Sequence, residues 1–259
     1  MLHGTAKNVT GPYVWGEKPD ITIGKMEAFD GPKSVVYTEP GTNQTKYSLW
    51  LGGGVYLADS LDGPFNRLKG FSYPGSNPAV VWHKGAFYFT NSPCKVVYTT
   101  PRLVAGAKWT EYGRIDHTGV PENWIPEDPT MWVDKRGNFH IVNHAYNVHE
   151  WQHCASSLLS THFFSPDGKT WHFLPQAVQP YNHTVHYDDG TSHMFVTIER
   201  PSVFFDEGGQ LTHLHLAADL VTGDEGCGDR KDHSQFGHCA CVNCKYEDHG
   251  GTTIIALDV

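Results

Sequence analysis

The sequence predicts an all-β chain folded as a five-bladed β-propeller, because two kinds of phrase recur along it. The first opens a unit: Asn77-Pro78-Ala79-Val80-Val81-Trp82, Asp128-Pro129-Thr130-Met131-Trp132-Val133 and Arg200-Pro201-Ser202-Val203-Phe204-Phe205. In each, a polar residue and a proline lead into an apolar, β-rich run. Proline has no N–H to give a ladder, so it suits the first residue of a strand. Each run stops at a turn glycine (Gly85, Gly137, and Gly208 or Gly209), and a second strand-like run follows. Glycine supplies the positive φ that a tight hairpin needs. A hairpin repeated in this way marks a propeller blade, with the polar residue before the proline at the mouth of the central funnel.

The second phrase closes a unit with a turn and an aromatic. It occurs as Ala58-Asp59-Ser60-Leu61-Asp62-Gly63-Pro64-Phe65, as Ser160-Thr161-His162-Phe163-Phe164-Ser165-Pro166-Asp167-Gly168-Lys169-Thr170-Trp171, more loosely as Val96-Val97-Tyr98-Thr99-Thr100, which stops at Pro101 and leads on to Ala107-Lys108-Trp109, and as Ala6-Lys7-Asn8-Val9-Thr10-Gly11-Pro12-Tyr13. In order along the chain, 1–15 reads as the outer end of one blade and 16–70 as a poorly marked second. Three clearer units follow at 71–115, 116–180 and 181–222. The N-terminal blade is therefore expected to be incomplete, with its start upstream of residue 1. The propeller domain covers 1–222, and a Cys/His-rich segment, 223–259, completes it or is appended to it. Strand periodicity alone would also allow a β-sandwich; the repeated opening and closing phrases favour the propeller. No helix of length is indicated.

Composition excludes several functions. At 259 residues the chain is long enough to bury a substantial core. Its 19 Lys+Arg against 28 Asp+Glu leave a net charge of −9, which argues against a nucleic-acid partner, since phosphate binding needs a basic face. No apolar run approaches the ~18 residues of a membrane helix, so no membrane partner is expected, and a monomer is. No signal peptide is visible at Met1-Leu2-His3-Gly4. Sequons at Asn8, Asn43 and Asn182, with an even 6 cysteines, still favour a secreted glycoprotein with disulfides.

These phrases resemble the five-bladed propeller glycoside hydrolases, the superfamily of the family 43 arabinanases and xylosidases. The resemblance covers most of 6–222 and rests on Glu127-Asp128-Pro129-Thr130-Met131-Trp132-Val133-Asp134, Asp62-Gly63-Pro64-Phe65 and Glu199-Arg200-Pro201-Ser202-Val203. It implies a carbohydrate substrate and three carboxylates at the starts of inner strands. Asp128 matches the aspartate that orients the acid, and Glu199 matches the general acid. The chemistry requires such a set: one carboxyl must be protonated to give a proton to the leaving oxygen, and another must be ionised to activate water or attack carbon. The base is where this chain departs. The earlier cassette carries Asn77, whose amide cannot take a proton from water and which is left as a substrate contact. Asp30 (Phe29-Asp30-Gly31-Pro32) and Asp20 are the substitutes, neither in clear strand-start context.

Other residues permit further chemistry. Among 17 histidines, His144 and His186 are the best candidates for the funnel, as sugar contacts or ion ligands; a histidine satisfied by backbone is the commoner case. His144, Tyr146, His186 and Tyr187 would serve a polysaccharide lyase, whose proton abstraction needs no aspartate base, with Arg200 or Arg136 neutralising a uronate carboxylate. A non-catalytic glycan-binding propeller is the third reading. Trp124 and Trp151, in loop-like polar sequence, are candidates to stack on sugars, while Trp82 and Trp132 read as core. No cofactor is required. A structural Ca²⁺ in the central channel is one option. In the tail, Cys227, Cys239, Cys241 and Cys244 fit either a Zn²⁺ site or, the favoured reading, disulfides. Cys94 and Cys154 are either a further pair or free buried thiols.

Overall fold

The structure, a computed structural model, describes residues 4–15, 31–122, 124–147, 159–174, 180–181, 184–194, 197–219 and 250–256. Among them every regular element is a strand. Three four-stranded antiparallel meanders follow one another, each ordered as the chain runs. After the short pair β1 (Gly4–Thr5) and β2 (Val14–Trp15), the first meander is β3 (Lys33–Thr38), β4 (Thr45–Leu51), β5 (Gly54–Ala58) and β6 (Asn66–Arg67). The second is β7 (Ala79–His83), β8 (Ala86–Thr90), β9 (Val96–Thr100) and β10 (Thr110–Arg114). The third is β11 (Trp124–Val133), β12 (Phe139–Asn147), β13 (Leu159–Ser165) and β14 (His172–Phe173). A hairpin, β15 (Thr184–His186) with β16 (Ser192–Met194), precedes a last sheet of β17 (Thr197–Phe205), β18 (Leu211–Asp219) and β19 (Gly250–Ala256). The end of the C-terminal segment thus supplies a strand to the sheet that Arg200 opens. The turn glycines fall where expected, with φ of +81° at Gly85, +91° at Gly137 and +73° at Gly209; of the pair left open, Gly209 carries the turn.

The map of the first half needs correction. Residues 33–67, inside the stretch read as poorly marked, form a regular four-stranded sheet that begins just after Gly31-Pro32. That pair is a fourth opening phrase. Its strand is harder to read because β3 opens on the polar pair Lys33-Ser34 and keeps every second residue exposed, instead of running apolar straight after the proline. Trp124, expected in a loop, is the first residue of β11.

Alternation along the strands explains the layering. A side chain on one strand faces the opposite way from its neighbour in sequence, so a sheet covered on both faces feeds two cores. On β8, Phe87 and Phe89 join Tyr37, Trp50, Val55 and Val80 in the core between the first and second sheets, while Tyr88 packs with Val97, Met131, Ile141 and Phe163 between the second and third. On the third sheet, Met131 and Ile141 turn to that side, and Trp132 and Val142 turn to the next core, with Ile198, Leu214 and Leu216 of the last sheet. The closing aromatics seal these cores: Trp109 packs against Trp50 and Phe89, and Trp171 is 2% exposed beside Phe139.

The leading strands of the sheets lie side by side in the order β3, β7, β11, β17. Lys33 of β3 then donates through Nζ to the Pro201 carbonyl (3.0 Å) and to Ser202 Oγ (3.2 Å) of β17, which links the last sheet back to the first. Four sheets therefore present their leading strands to a common centre. The expected fifth blade has no four-stranded counterpart among the described residues.

The outer strands pack as closely as the inner ones. A Cβ on Gly113 of β10 would lie 2.6 Å from Lys169 Cα and 2.7 Å from the Gly168 carbonyl oxygen, both backbone atoms of the next sheet's closing turn. Gly113→Ala is expected to destabilise the protein by about 1–3 kcal/mol, the range for overpacking. Urea unfolding checks this; an unchanged midpoint would show that the outer strands are not in contact.

Candidate functional site

Four strand openings define the site, and three share one backbone device. Asn77, Asp128 and Arg200, each directly before its proline, have φ of +49°, +49° and +54°. This left-handed turn, rare outside glycine, costs of order 1–3 kcal/mol at each residue. In the fourth opening a glycine, Gly31, stands before the proline. On β11 the pairing jumps from Glu127↔His144 to Thr130↔Val142, and on β17 from Glu199↔Ala217 to Ser202↔His215. In each case two residues oppose one, Asp128-Pro129 and Arg200-Pro201. Such bulges bend a strand and re-aim its side chains. The carboxylates Glu127 and Glu199 hold equivalent positions just ahead of the two bulges, on strands that pack together. Asp30 holds the same position before Gly31-Pro32 in sequence; its own placement lies outside the described residues.

Gly31, Lys33, Asn77, Asp128, Pro129 and Arg200 line a cleft with ≈ 10 Å³ of free space, the room of about one water molecule. The Gly31 N–H donates to Asn77 Oδ1 at 3.3 Å, which ties the first opening to the second. The Asp128 N–H donates to Ser92 Oγ at 3.1 Å, which ties the third to the second sheet's loop. Asp128 is buried, with Arg200 Nε 3.9 Å from its Oδ2. Lys33 is half-buried, with its amine turned inward onto the last sheet. Removal from water pulls its amine down to about 8, against the opposing attraction of Asp128. Glu127 is pushed up to about 7, first by burial and then by the charges of Asp128 and Glu199. Tyr181, in the same field, is raised well above its usual range by burial and by those two carboxylates. Its hydroxyl is buried with no hydrogen-bond partner among the described residues.

The expected residues separate into three groups. Asp128, Glu199, Arg200, Asn77 and His144 come together: His144 is buried opposite Glu127, and their ligand atoms with that of Asp128 lie within 4.8 Å of one another. His186 and Tyr187 stand exposed on the β15–β16 hairpin and do not line the cleft, which removes two groups from the lyase chemistry. Trp124 is half-buried, with its backbone N–H donating to the Pro121 carbonyl. The placements of Asp30, Trp151, Cys154, Cys227, Cys239, Cys241 and Cys244 and of the Tyr146 side chain lie outside the described residues. Cys94 is a free buried thiol that accepts from Asn143 Nδ2 and is pushed up to about 12 by burial. His140, four residues before His144, serves packing: it stacks on Trp132 at 4.9 Å, and its Nδ1 lies 3.0 Å from His162 Nε2.

Glu127, Lys33 and Tyr181 were missed in the sequence. The signal for Glu127 was present, since Glu127-Asp128-Pro129 and Glu199-Arg200-Pro201 are the same acid-x-Pro phrase. Among the described residues, the set within reach of a central Ca²⁺ is a poor one. Glu127, Asp128 and His144 supply two carboxylate groups and one nitrogen to an ion that takes six to eight oxygens. Lys33 and Arg200 already stand beside the more buried carboxylate.

No family model matches this chain, and no curated protein sequence does. Among solved structures it is similar to an endo-1,4-β-xylanase from Bacteroides thetaiotaomicron, 13% identical over 79% of this chain and 72% of that one, with a TM-score of 0.47. An endo-arabinase from the same bacterium is 13% identical over 86% and 74%, TM-score 0.47. A thermostable family-43 glycoside hydrolase is 11% identical over 71% and 64%, TM-score 0.45. These are likenesses in backbone course.

Proposed function

We propose that this chain is a glycoside hydrolase-like propeller that cleaves a polysaccharide or oligosaccharide with carboxylates at its funnel. The observation that carries the reading is the grouping of Glu127, Asp128 and Glu199 at the starts of adjacent leading strands, with Glu127 raised to about 7 by burial, Asp128 and Glu199. Glycosidic cleavage needs a carboxyl that still holds its proton near neutral pH beside one that does not. Asp128, flanked by Arg200 and Lys33, is the ionised member. Glu199 is the general acid; it is coupled to Glu127, so that the two share one proton beside the charge of Asp128, which acts to keep that proton in place. Asp30 is the base, since Gly31-Pro32 opens a leading strand as the prolines of the other acid-x-Pro phrases do. The count of five blades, and a secreted location suited to a polymeric substrate, belong to this same proposal.

Glu199→Gln is expected to lower the rate ~10²–10⁴-fold, the usual worth of a positioned general acid. Asp128→Asn lowers it too and moves the alkaline limb of the pH profile to lower pH, because a like charge that raised the acid's pKa is gone. Full activity with an unchanged profile in a folded Glu199→Gln protein would overturn the assignment. Binding without turnover would make the protein a glycan-binding propeller instead, and unsaturated products absorbing in the ultraviolet would make it a lyase.

Stability has a matching signature. Folded Glu127 holds its proton more tightly than the unfolded chain, about 7 against 4.5. Its contribution is therefore fully present below pH ~4.5 and is lost as pH rises through ~7. Glu127→Gln should melt higher than wild type above pH ~7, with the advantage shrinking toward pH ~4.5. Melting curves across that range test this; a difference independent of pH would contradict the burial of an ionisable Glu127.

A further inference from the structure

Arg200 stands where the backbone least suits an arginine. Asparagine and aspartate tolerate the left-handed region, as Asn77 and Asp128 do at the matching positions; a long side chain has no such aptitude. The side chain held there reaches over the cleft. Its Nε is 3.9 Å from Asp128 Oδ2, and its Nη1 is 3.8 Å from the point where a Cβ on Gly31 would stand. At 3.9 Å the ion pair is too long for a hydrogen bond. Among the described residues, then, the guanidinium fork has an electrostatic neighbour but no hydrogen-bond acceptor. Of the residues lining the cleft, Arg200 alone is exposed, with 45% of its side chain accessible.

We infer that the saccharide held over the mouth of this cleft carries a carboxylate, as a uronic acid does, and that the exposed Arg200 grips it there through a two-pronged pair. This rests on the glycosidase reading above and names the class of its substrate. A planar fork of donors matches the two oxygens of a carboxylate and gives direction as well as attraction. The surrounding charge permits it. While Glu127 and Glu199 share one proton, the cations Lys33 and Arg200 face two negative charges, Asp128 and one of that pair, so an incoming anion meets no net repulsion. The inner edge of the guanidinium faces Asp128, and the exposed remainder is left for the ligand. A sulfate ester on a sugar shares the negative charge but not the planar pair of oxygens.

Arg200→Gly is a clean probe, because glycine adopts a φ of +54° without strain and the fold is not put at risk. Arg200→Lys keeps the charge and removes the fork. Binding by calorimetry and turnover would be measured on the full chain with three panels: oligosaccharides of galacturonate, glucuronate and mannuronate; neutral arabino- and xylo-oligosaccharides; and sulfated galactan oligomers. Wild type is expected to prefer a uronate. Arg200→Gly should lose about 10- to 100-fold of that affinity with an equal or higher Tm, and Arg200→Lys should recover only a minor part. Preference for neutral or sulfated sugars, or uronate binding unchanged in Arg200→Gly, would overturn the inference. Turnover of neutral sugars alone would leave the glycosidase reading standing and this one fallen. Arg200-dependent uronate binding without hydrolysis would do the reverse.

Discussion

An ammonium drawn largely out of water governs the centre of this molecule. Lys33 leaves the first sheet, is held by the Pro201 carbonyl and the Ser202 hydroxyl of the last, and lies within the field of Asp128 in the third. A buried charge is tolerated only when paired and hydrogen-bonded. The three sheets therefore have to meet here, and an acid has to stand beside the amine. Once Asp128 is ionised, the next carboxyl is under pressure to stay neutral, and Glu127 is that group. The same balance that lets the leading strands converge thus produces unlike carboxyls a few ångströms apart. Structure and chemistry share one cause.

The convergence in turn depends on how the strands begin. A left-handed residue and a proline swing the chain onto each of three leading strands, and on β11 and β17 a bulge over the same two residues re-aims what precedes it. The sheets behind are held by alternation, with successive residues such as Trp132 and Met131 facing different cores. The cores are rich in aromatics and keep the sheets rigid. Small angular errors would otherwise be magnified where the side chains meet.

Much of this was legible in the sequence. The turn glycines, the proline-led strands and the sealing aromatics Trp109 and Trp171 each follow from local stereochemistry, so a few residues suffice to announce them. The first sheet was harder to see, because β3 runs with one face half-solvated and lacks the apolar burst after its proline. Asp128, Glu199 and Asn77 were found because strand starts point at a centre, and His144 because its stretch reads as the end of a strand; it lies within β12. Glu127 was not, since which of two adjacent acids is neutral depends on burial and on a charge from another sheet. Lys33 was invisible for a similar reason: its partners lie 168 and 169 residues away. His186 and Tyr187 were judged by nearness in sequence to Glu199, but the β15–β16 hairpin holds them exposed.

The central claim is that carboxyls from β11 and β17 form one electrostatic unit. It is tested most directly by titrating Glu127 itself, following its side-chain carboxyl by carbon NMR in wild type, Asp128→Asn and Glu199→Gln. The account predicts a wild-type midpoint of about 7 that falls toward 4.5 when either neighbour is neutralised. A wild-type midpoint already near 4.5, or one that neither substitution moves, would contradict it.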